Sequence, residues 1–408
     1  MGEEKPVRGF IFACTDRTES ECYDRMMLAA DRTYGPVVIR IREGDLLFLH
    51  NLDTDALHGV FRAVSKGDFN LNAKAWNGRY PYQIHFEYIG NNIVLKNAKG
   101  ILAKISVTRN TPLIKEKLSS LLEIFMINPG ITNSALSLYD KDTTLLILNE
   151  KEKVDKNKND VDIEEEIPML EATTMWDFPR QSYGITPKGN NRYPGVTPAL
   201  IIYNMIWRYT DPGDLVVDPM CGSGTTIDVC KEEKRRAIGY DIHPVRPDVI
   251  QNDARNIPLD AENVDMVFID SPYGDNVRYN EHPDNIGNIS SESEQFYDEL
   301  EKVMEESHRI LKDGKVLGWL IGDQWVKRKF TPVGFEIYNR LCKYFEPMEI
   351  VCVNRRGQSS HTGLWFNRAR RFNFYLRGFK YLIIVRKTSE TFSKSSTRKI
   401  EWTHYDRG

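Results

Sequence analysis

Between Leu215 and Ile321, short β-branched runs alternate with stretches of helical period. They are Leu215–Asp218, Thr225–Lys231, Ala237–Asp241, Met266–Asp270, Ser293–Leu311 and Val316–Ile321. A strand followed by a helix before the next strand pairs in parallel with it, and the crossover helices cover the faces of the sheet. The expected fold class is α/β, a Rossmann-like sheet over residues 171–390.

The preceding texture differs. Over residues 5–110 short apolar runs (Val37–Ile41, Leu46–His50, Gly59–Val64, Gln83–Tyr88, Ile101–Val107) alternate with Gly and Asp turns, which predicts a small β-rich barrel or sheet with one or two helices. Residues 111–170 read as a helical and acidic linker region: Ile114–Phe125 is amphipathic, and residues 151–166 carry almost no apolar side chains. Residues 391–408 read as a frayed tail. With 408 residues, 41% hydrophobic and 28% charged, there is room for two domains, and a net charge of −3 leaves the question of a nucleic-acid partner to local charge. No apolar run reaches bilayer length, so no membrane partner is expected. The start Met1-Gly-Glu-Glu-Lys lacks the apolar core of a signal peptide. Six cysteines without a C-x-x-C pair read as reduced thiols of a cytoplasmic protein, with no metal site.

In an open parallel sheet, ligands bind beyond the carboxyl ends of the strands. The first strand of the alternation runs into Asp218-Pro219-Met220-Cys221-Gly222-Ser223-Gly224-Thr225-Thr226, where two glycines allow a tight turn and a close backbone approach. No Lys-Ser/Thr follows, which argues against a phosphate-binding P-loop. The next strand ends in Asp241, where a carboxylate suits ribose hydroxyls, and Asp253 follows at a further turn. Each acid alone reads more readily as a cap or turn residue; three at the ends of three successive strands fit that much less well. A buried strand, Val264–Asp270, then ends in Asp270-Ser271-Pro272-Tyr273-Gly274.

These segments resemble the class I methyltransferases, in the form used by amino-methyltransferases of nucleic acids. The resemblance covers about residues 173–387. It implies S-adenosyl-L-methionine as cofactor, with Asp218, Gly222 and Gly224 around its methionine part, Pro219 and Cys221 also binding the cofactor, Asp241 on its ribose and Asp253 on its adenine. Trp176-Asp-Phe-Pro179 and Tyr193-Pro-Gly-Val-Thr-Pro198 are similar to the motif that precedes the loop in permuted members, which puts Thr197 in the cofactor pocket. Asp270, Ser271, Pro272 and Tyr273 look like the Asp/Asn/Ser-Pro-Pro-Tyr motif and are the implied catalytic residues. A carboxylate and a backbone carbonyl would draw the exocyclic nitrogen out of conjugation, while Tyr273 offers a stacking face to an unstacked base. Serine at the second position departs from the motif: the loop loses one φ restraint and gains an N–H.

Between Val351 and Lys387 stand seven arginines, two lysines and no acid, interleaved with aromatics, as a single-stranded nucleic acid requires. Arg355, Arg356, Arg368, Arg370 and Arg371 are the candidate phosphate contacts, with Arg278 beside the catalytic turn; Phe379–Val385 alternates like a core strand, and Phe372 and Phe374 read as its buried neighbours. Gly9-Phe-Ile-Phe-Ala-Cys14, Glu21-Cys-Tyr23, Gly44-Asp-Leu-Leu-Phe-Leu49, Leu57-His-Gly-Val-Phe-Arg62 and Gly78-Arg-Tyr-Pro-Tyr82 look like a DCD domain, similar in fold to the EVE, YTH and PUA group, many of which bind RNA. There Trp76, Tyr80 and Tyr82 either form a base pocket or fill the core. The combination resembles archaeal cytidine N4-methyltransferases of small-subunit ribosomal RNA, which implies RNA as the partner. DNA N4-cytosine or N6-adenine methyltransferases and guanine-N2 transfer RNA enzymes share the catalytic-domain motifs, and a non-catalytic RNA-binding module is the reading from another class.

Overall fold

The computed structural model describes residues 7–107, 112–127, 167–190, 193, 195–274, 282–326, 329–356 and 363–389. The chain divides into two compact units, Met1–Leu170 and Glu171–Gly408.

The first unit contains β1 (Gly9–Cys14), α1 (Asp16–Asp24), β2 (Met27–Ala30), α2 (Gly35–Val38), β3 (Leu46–Asn51), β4 (Ala56–Ala63), β5 (Asp68–Phe69), β6 (Tyr82–Lys96), α3 (Ala98–Lys104) and α4 (Lys115–Ile127). Its sheet runs β1-β3-β4-β6-β2, with β5 on β6. The apolar runs at 37–41 and 101–107 contribute to helices α2 and α3 instead of strands: Pro36 sits in the first turn of α2 and Asn97 caps α3 by accepting from the Gly100 N–H. Leu118, Leu121 and Phe125 of α4 fall on one helix face and bury against Ile11, Phe48 and Leu57. The segment read as a linker thus begins with a helix that completes this unit's core.

Trp76 and Tyr82 are 6% and 0% exposed, and the Trp76 indole donates to the Thr18 carbonyl at 3.4 Å. They are core aromatics, which removes them from a base pocket; Tyr80 is half-buried.

The second unit holds β7 (Met175–Trp176), α5 (Ala199–Tyr209), β8 (Leu215–Asp218), α6 (Thr225–Glu232), β9 (Arg236–Asp241), β10 (Val249–Gln251), β11 (Val264–Asp270), α7 (Glu294–Ile310), β12 (Leu311–Ile321), β13 (Gln324–Val326), β14 (Lys329–Thr331), α8 (Val333–Leu341), β15 (Glu346–Asn354), α9 (Gly363–Arg371) and β16 (Phe379–Arg386). Its sheet runs β10-β9-β8-β11-β12-β16-β15-β7. The strands from β10 to β12 are parallel, and β16 is inserted antiparallel between β12 and β15. In β11 every residue before Asp270 is buried, which is why the run is almost continuously apolar. Phe296, Leu300, Val303, Met304 and Ile310 give α7 its buried face, and α5 is buried nearly all round. The chain leaves β8 toward β9 and leaves β11 toward β12, in opposite directions across the sheet. A crevice therefore opens at the carboxyl ends of β8 and β11.

Candidate active site

That crevice is a cleft of about 880 Å³, counted to its open mouth. Thr197, Asp218, Pro219, Cys221, Gly222, Asp241, Asp253, Asp270 and Pro272 line it; each was a candidate from sequence. Tyr193, Met220, Ile242 and the segment Asp284–Ile286 also line it and carried no assignment.

The glycine turn is held from both ends. Gly222 and Gly224 have φ of +51° and +80°, conformations that a side chain disfavours. A Cβ on Gly222 would meet the Tyr193 ring at 3.0 Å, and one on Gly224 would lie 2.5 Å from the Arg246 guanidinium. Gly224 itself stays off the cleft wall and acts as the cap residue of α6. The Gly222 N–H donates to Asp241 at 3.0 Å, which ties the turn to β9. Asp218 accepts from the Met220 N–H at 3.1 Å and from the Thr226 hydroxyl at 2.5 Å.

Electrostatically the cleft is acidic. Burial pushes the Asp218 carboxyl up to about 7 against those hydrogen bonds. Burial also raises Asp241, opposed by the His243 and Gly222 N–H groups. The Tyr193 hydroxyl is driven upward by burial first and then by the surrounding acids. Asp253 goes the other way: burial raises it, but the bonds from Arg255 prevail and hold it low. Arg255 grips both Asp253 oxygens, its Nη2 at 2.6 Å, and also binds Glu299. The glycine turn and the raised Asp218 and Asp241 suit a ligand that brings positive charge and hydroxyl donors.

On the opposite wall, Asp270 accepts from the Thr197 hydroxyl at 2.8 Å and from Lys380 Nζ at 3.0 Å to each oxygen. Ser271 is 1% exposed, and its hydroxyl accepts from the Trp319 indole N–H at 2.9 Å. The loop that lacks one proline is thereby anchored by a side-chain bond. Tyr273 packs against the core beneath, and its carbonyl accepts from Gln324 Nε2. Lys380 Nζ and the Arg355 guanidinium lie 5.1 and 5.9 Å from its ring centroid.

The basic segment divides. Arg355 faces Tyr273, and Arg356 is ion-paired with Asp177 at the surface. Arg368, Arg370 and Arg371 lie exposed on α9, the first and last against the rings of Trp365 and Phe372. Phe372 is exposed, not buried; Phe374 stacks on Trp325 at 6.2 Å. Arg278 lies outside the described residues.

Strand order and cleft define the class: a Rossmann-like class I methyltransferase fold. Two family models match the chain, a development and cell death domain over residues 8–118 and a DNA methylase over residues 84–252. The DCD domain-containing protein NRP-B of Glycine max is 33% identical over 91 residues, 21% of this chain and 28% of that protein. The B2 protein of Daucus carota is 36% identical over 91 residues, 21% of this chain and 44% of its own length. The DNA adenine methyltransferase YhdJ of Escherichia coli K12 is 36% identical over 69 residues, 17% of this chain and 23% of that enzyme. The chain thus spans less than half the length of these curated relatives. Among solved structures, TrmN from Thermus thermophilus aligns over 48% of this chain and 50% of its own at 14% identity, with a TM-score of 0.33, too low to carry an argument. Among the described residues no helix is long and apolar enough to cross a membrane, and no cluster of three metal-ligating side chains occurs.

Proposed function

We propose that this chain is an S-adenosyl-L-methionine-dependent methyltransferase that modifies an exocyclic amine of a nucleic-acid base, with the N4 of cytidine in RNA, in the small-subunit ribosomal RNA, as its target. The observation that carries the reading is that the glycine turn after β8 and the Asp270 turn after β11 line one cleft. When bound, the cofactor supplies an electrophilic methyl on a sulfonium. Gly222, Cys221 and Asp218 would hold its methionine part, Asp241 would accept from its ribose and Asp253 from its adenine amine. Asp270 would accept one hydrogen of the target amine and the Ser271 carbonyl the other, freeing the nitrogen lone pair for the methyl; as the N–C bond forms and the S–C bond breaks, the nitrogen would give up one proton to solvent. Pro272 would give the base a wall to lie against, with Ser271 and Tyr273 behind the lining of the cleft, and the exposed arginines of α9 would hold the strand. A monomethylated N4 keeps a hydrogen and a recoverable lone pair, so a second transfer to the same atom is chemically open.

The match of the first unit to a domain similar to the RNA-binding barrels favours RNA, and the soluble chain operating on ribosomal RNA would work in the cytoplasm. The names of the methylase relatives favour the second reading, N4 or N6 methylation of DNA. Nucleoside mass spectrometry on RNA and DNA from cells lacking the gene separates them. Loss of N4-methylcytidine from ribosomal RNA, restored by the wild-type gene but not by Asp270→Ala, is the expected result. Loss from DNA alone moves the substrate to DNA, and an unchanged nucleoside profile removes the proposal. Purified Asp270→Ala is expected to bind the cofactor almost as the wild type does.

A further inference from the structure

Lys380 belongs to none of the motifs, yet it touches both functional groups of the Asp270 turn. It sits at the start of β16, the antiparallel strand, so the beginning of β16 lies at the end of the sheet where the parallel strands finish. From there Nζ lies 3.0 Å from each Asp270 oxygen and 5.1 Å from the Tyr273 ring centroid. The two side chains of the pair are 12% and 11% exposed. The bond reaches across β12, because β11 and β16 do not pair with one another.

Resting on the methyl-transfer reading above, we propose that Lys380 is a positioning residue of the reaction: it fixes the Asp270 carboxylate and the Tyr273 ring in the orientation in which they receive the target base. An ionised carboxylate offers about four acceptor directions. Lys380 bridges the two oxygens on one side and the Thr197 hydroxyl takes one more, so the carboxylate is fixed in its plane with acceptor capacity left toward the cleft. Burial disfavours the ammonium, but Asp270 and Tyr273 beside it outweigh that and keep the proton on Nζ. A buried carboxylate without this partner would turn toward solvent or toward the next available donor, and the amine would meet it misaligned. A simple staple between strands is the competing account, and the two differ in what they predict for cofactor binding.

The test uses the full-length chain, methyl-labelled S-adenosylmethionine, and RNA and DNA extracted from cells lacking the gene. Lys380→Ala is expected to lower kcat about a hundredfold, the cost of an ångström-scale misplacement. KM and cofactor Kd are expected to stay within about threefold of wild type. Propylamine added to Lys380→Ala is expected to restore part of kcat in a dose-dependent way, because the missing ammonium is resupplied. Lys380→Gln decides the matter if the alanine variant does not fold: kcat lowered about tenfold or more with cofactor affinity held supports the proposal. Wild-type kcat in either variant overturns it. A loss of cofactor affinity parallel to the loss of turnover, without amine rescue, makes Lys380 a staple and also overturns it. Wild-type enzyme that methylates neither nucleic acid overturns the parent reading and this one together.

Discussion

The departure of the catalytic turn from its motif can be tested at one bond. Ser271 and Trp319 are 1% and 0% exposed and joined at 2.9 Å, with the indole donating to the hydroxyl. Ser271→Ala leaves that indole N–H buried without its acceptor, which costs about 1–3 kcal/mol, whereas a satisfied neutral pair contributes only about 1 kcal/mol net. Ser271→Pro installs the more usual residue and its φ restraint, but it loses the same hydroxyl and adds ring volume to a site that is already closed. It is therefore expected to cost at least as much as alanine, contrary to what motif matching alone would suggest. Trp319→Phe removes the donor and some packing. Combined with Ser271→Ala it should cost about 1–2 kcal/mol less than the two singles summed. Urea unfolding measures these differences, and since the chain has two units, the transition to follow is the one that bound S-adenosylmethionine shifts upward. Methyl-transfer rates read the loop's alignment in parallel. A cost for Ser271→Ala below about 0.5 kcal/mol with no coupling, or a Ser271→Pro variant as stable and active as wild type, would refute the claim that this bond replaces the proline restraint.

Replacing Arg368, Arg370 and Arg371 by Gln should lower the slope of log affinity against log salt for single-stranded RNA by about 2, at about 0.7 per phosphate contact; an unchanged slope in filter binding assigns α9 another role. Asp218, held up to about 7 by burial, keeps a proton in the folded chain that the unfolded chain has already released. The contribution is thus fully present below the unfolded carboxyl range and is lost as pH rises from about 4 to 7, and Asp218→Asn should flatten this decline in stability measured by unfolding at a series of pH values. Gly224→Ala should cost about 1–2 kcal/mol, since φ is +80° and the new Cβ meets Arg246 at 2.5 Å, and it should weaken S-adenosylmethionine binding by calorimetry; retention of both would show that the turn relaxes freely.

How far the sequence could be read depended on which end of a strand faces the cleft. In a parallel sheet every strand finishes on the ligand side, so Asp218, Asp241 and Asp270 announce themselves as acids closing apolar runs. The same rule hides Lys380. The run Phe379–Val385 reads as a core strand, and its four residues from Leu382 to Val385 are indeed buried. Only its antiparallel insertion between β12 and β15 brings Lys380 to the Asp270 turn, and strand direction leaves no mark in local pattern. Trp76 and Tyr82 were undecided for a related reason: aromatics that fill a small β-rich core and aromatics that line a base pocket share one alternation. For α4, the spacing of Leu118, Leu121 and Phe125 marked a helix with a buried face, but not the core it joins.

Charge decides what a Rossmann-like crevice can accept. The same strand–turn–helix geometry serves dinucleotides elsewhere, because the positive end of the helix attracts phosphate. Here α6 begins at the cleft, but Asp218, Asp241, Asp253, Asp270 and Asp284 line it, and no Lys or Arg is among the described lining residues. A helix end carries about half a positive charge; Arg255 offsets Asp253 and Lys380 offsets Asp270, but Asp218 and Asp241 beside the turn add negative charge that disfavours a pyrophosphate. S-adenosylmethionine, whose sulfonium and ammonium outweigh its one carboxylate, meets the opposite situation. Burial raises Asp218 and Asp241, and a cationic ligand beside them would lower both on binding. Binding should then release protons near neutral pH, which makes the acids that destabilise the free cleft part of its selectivity for the methyl donor.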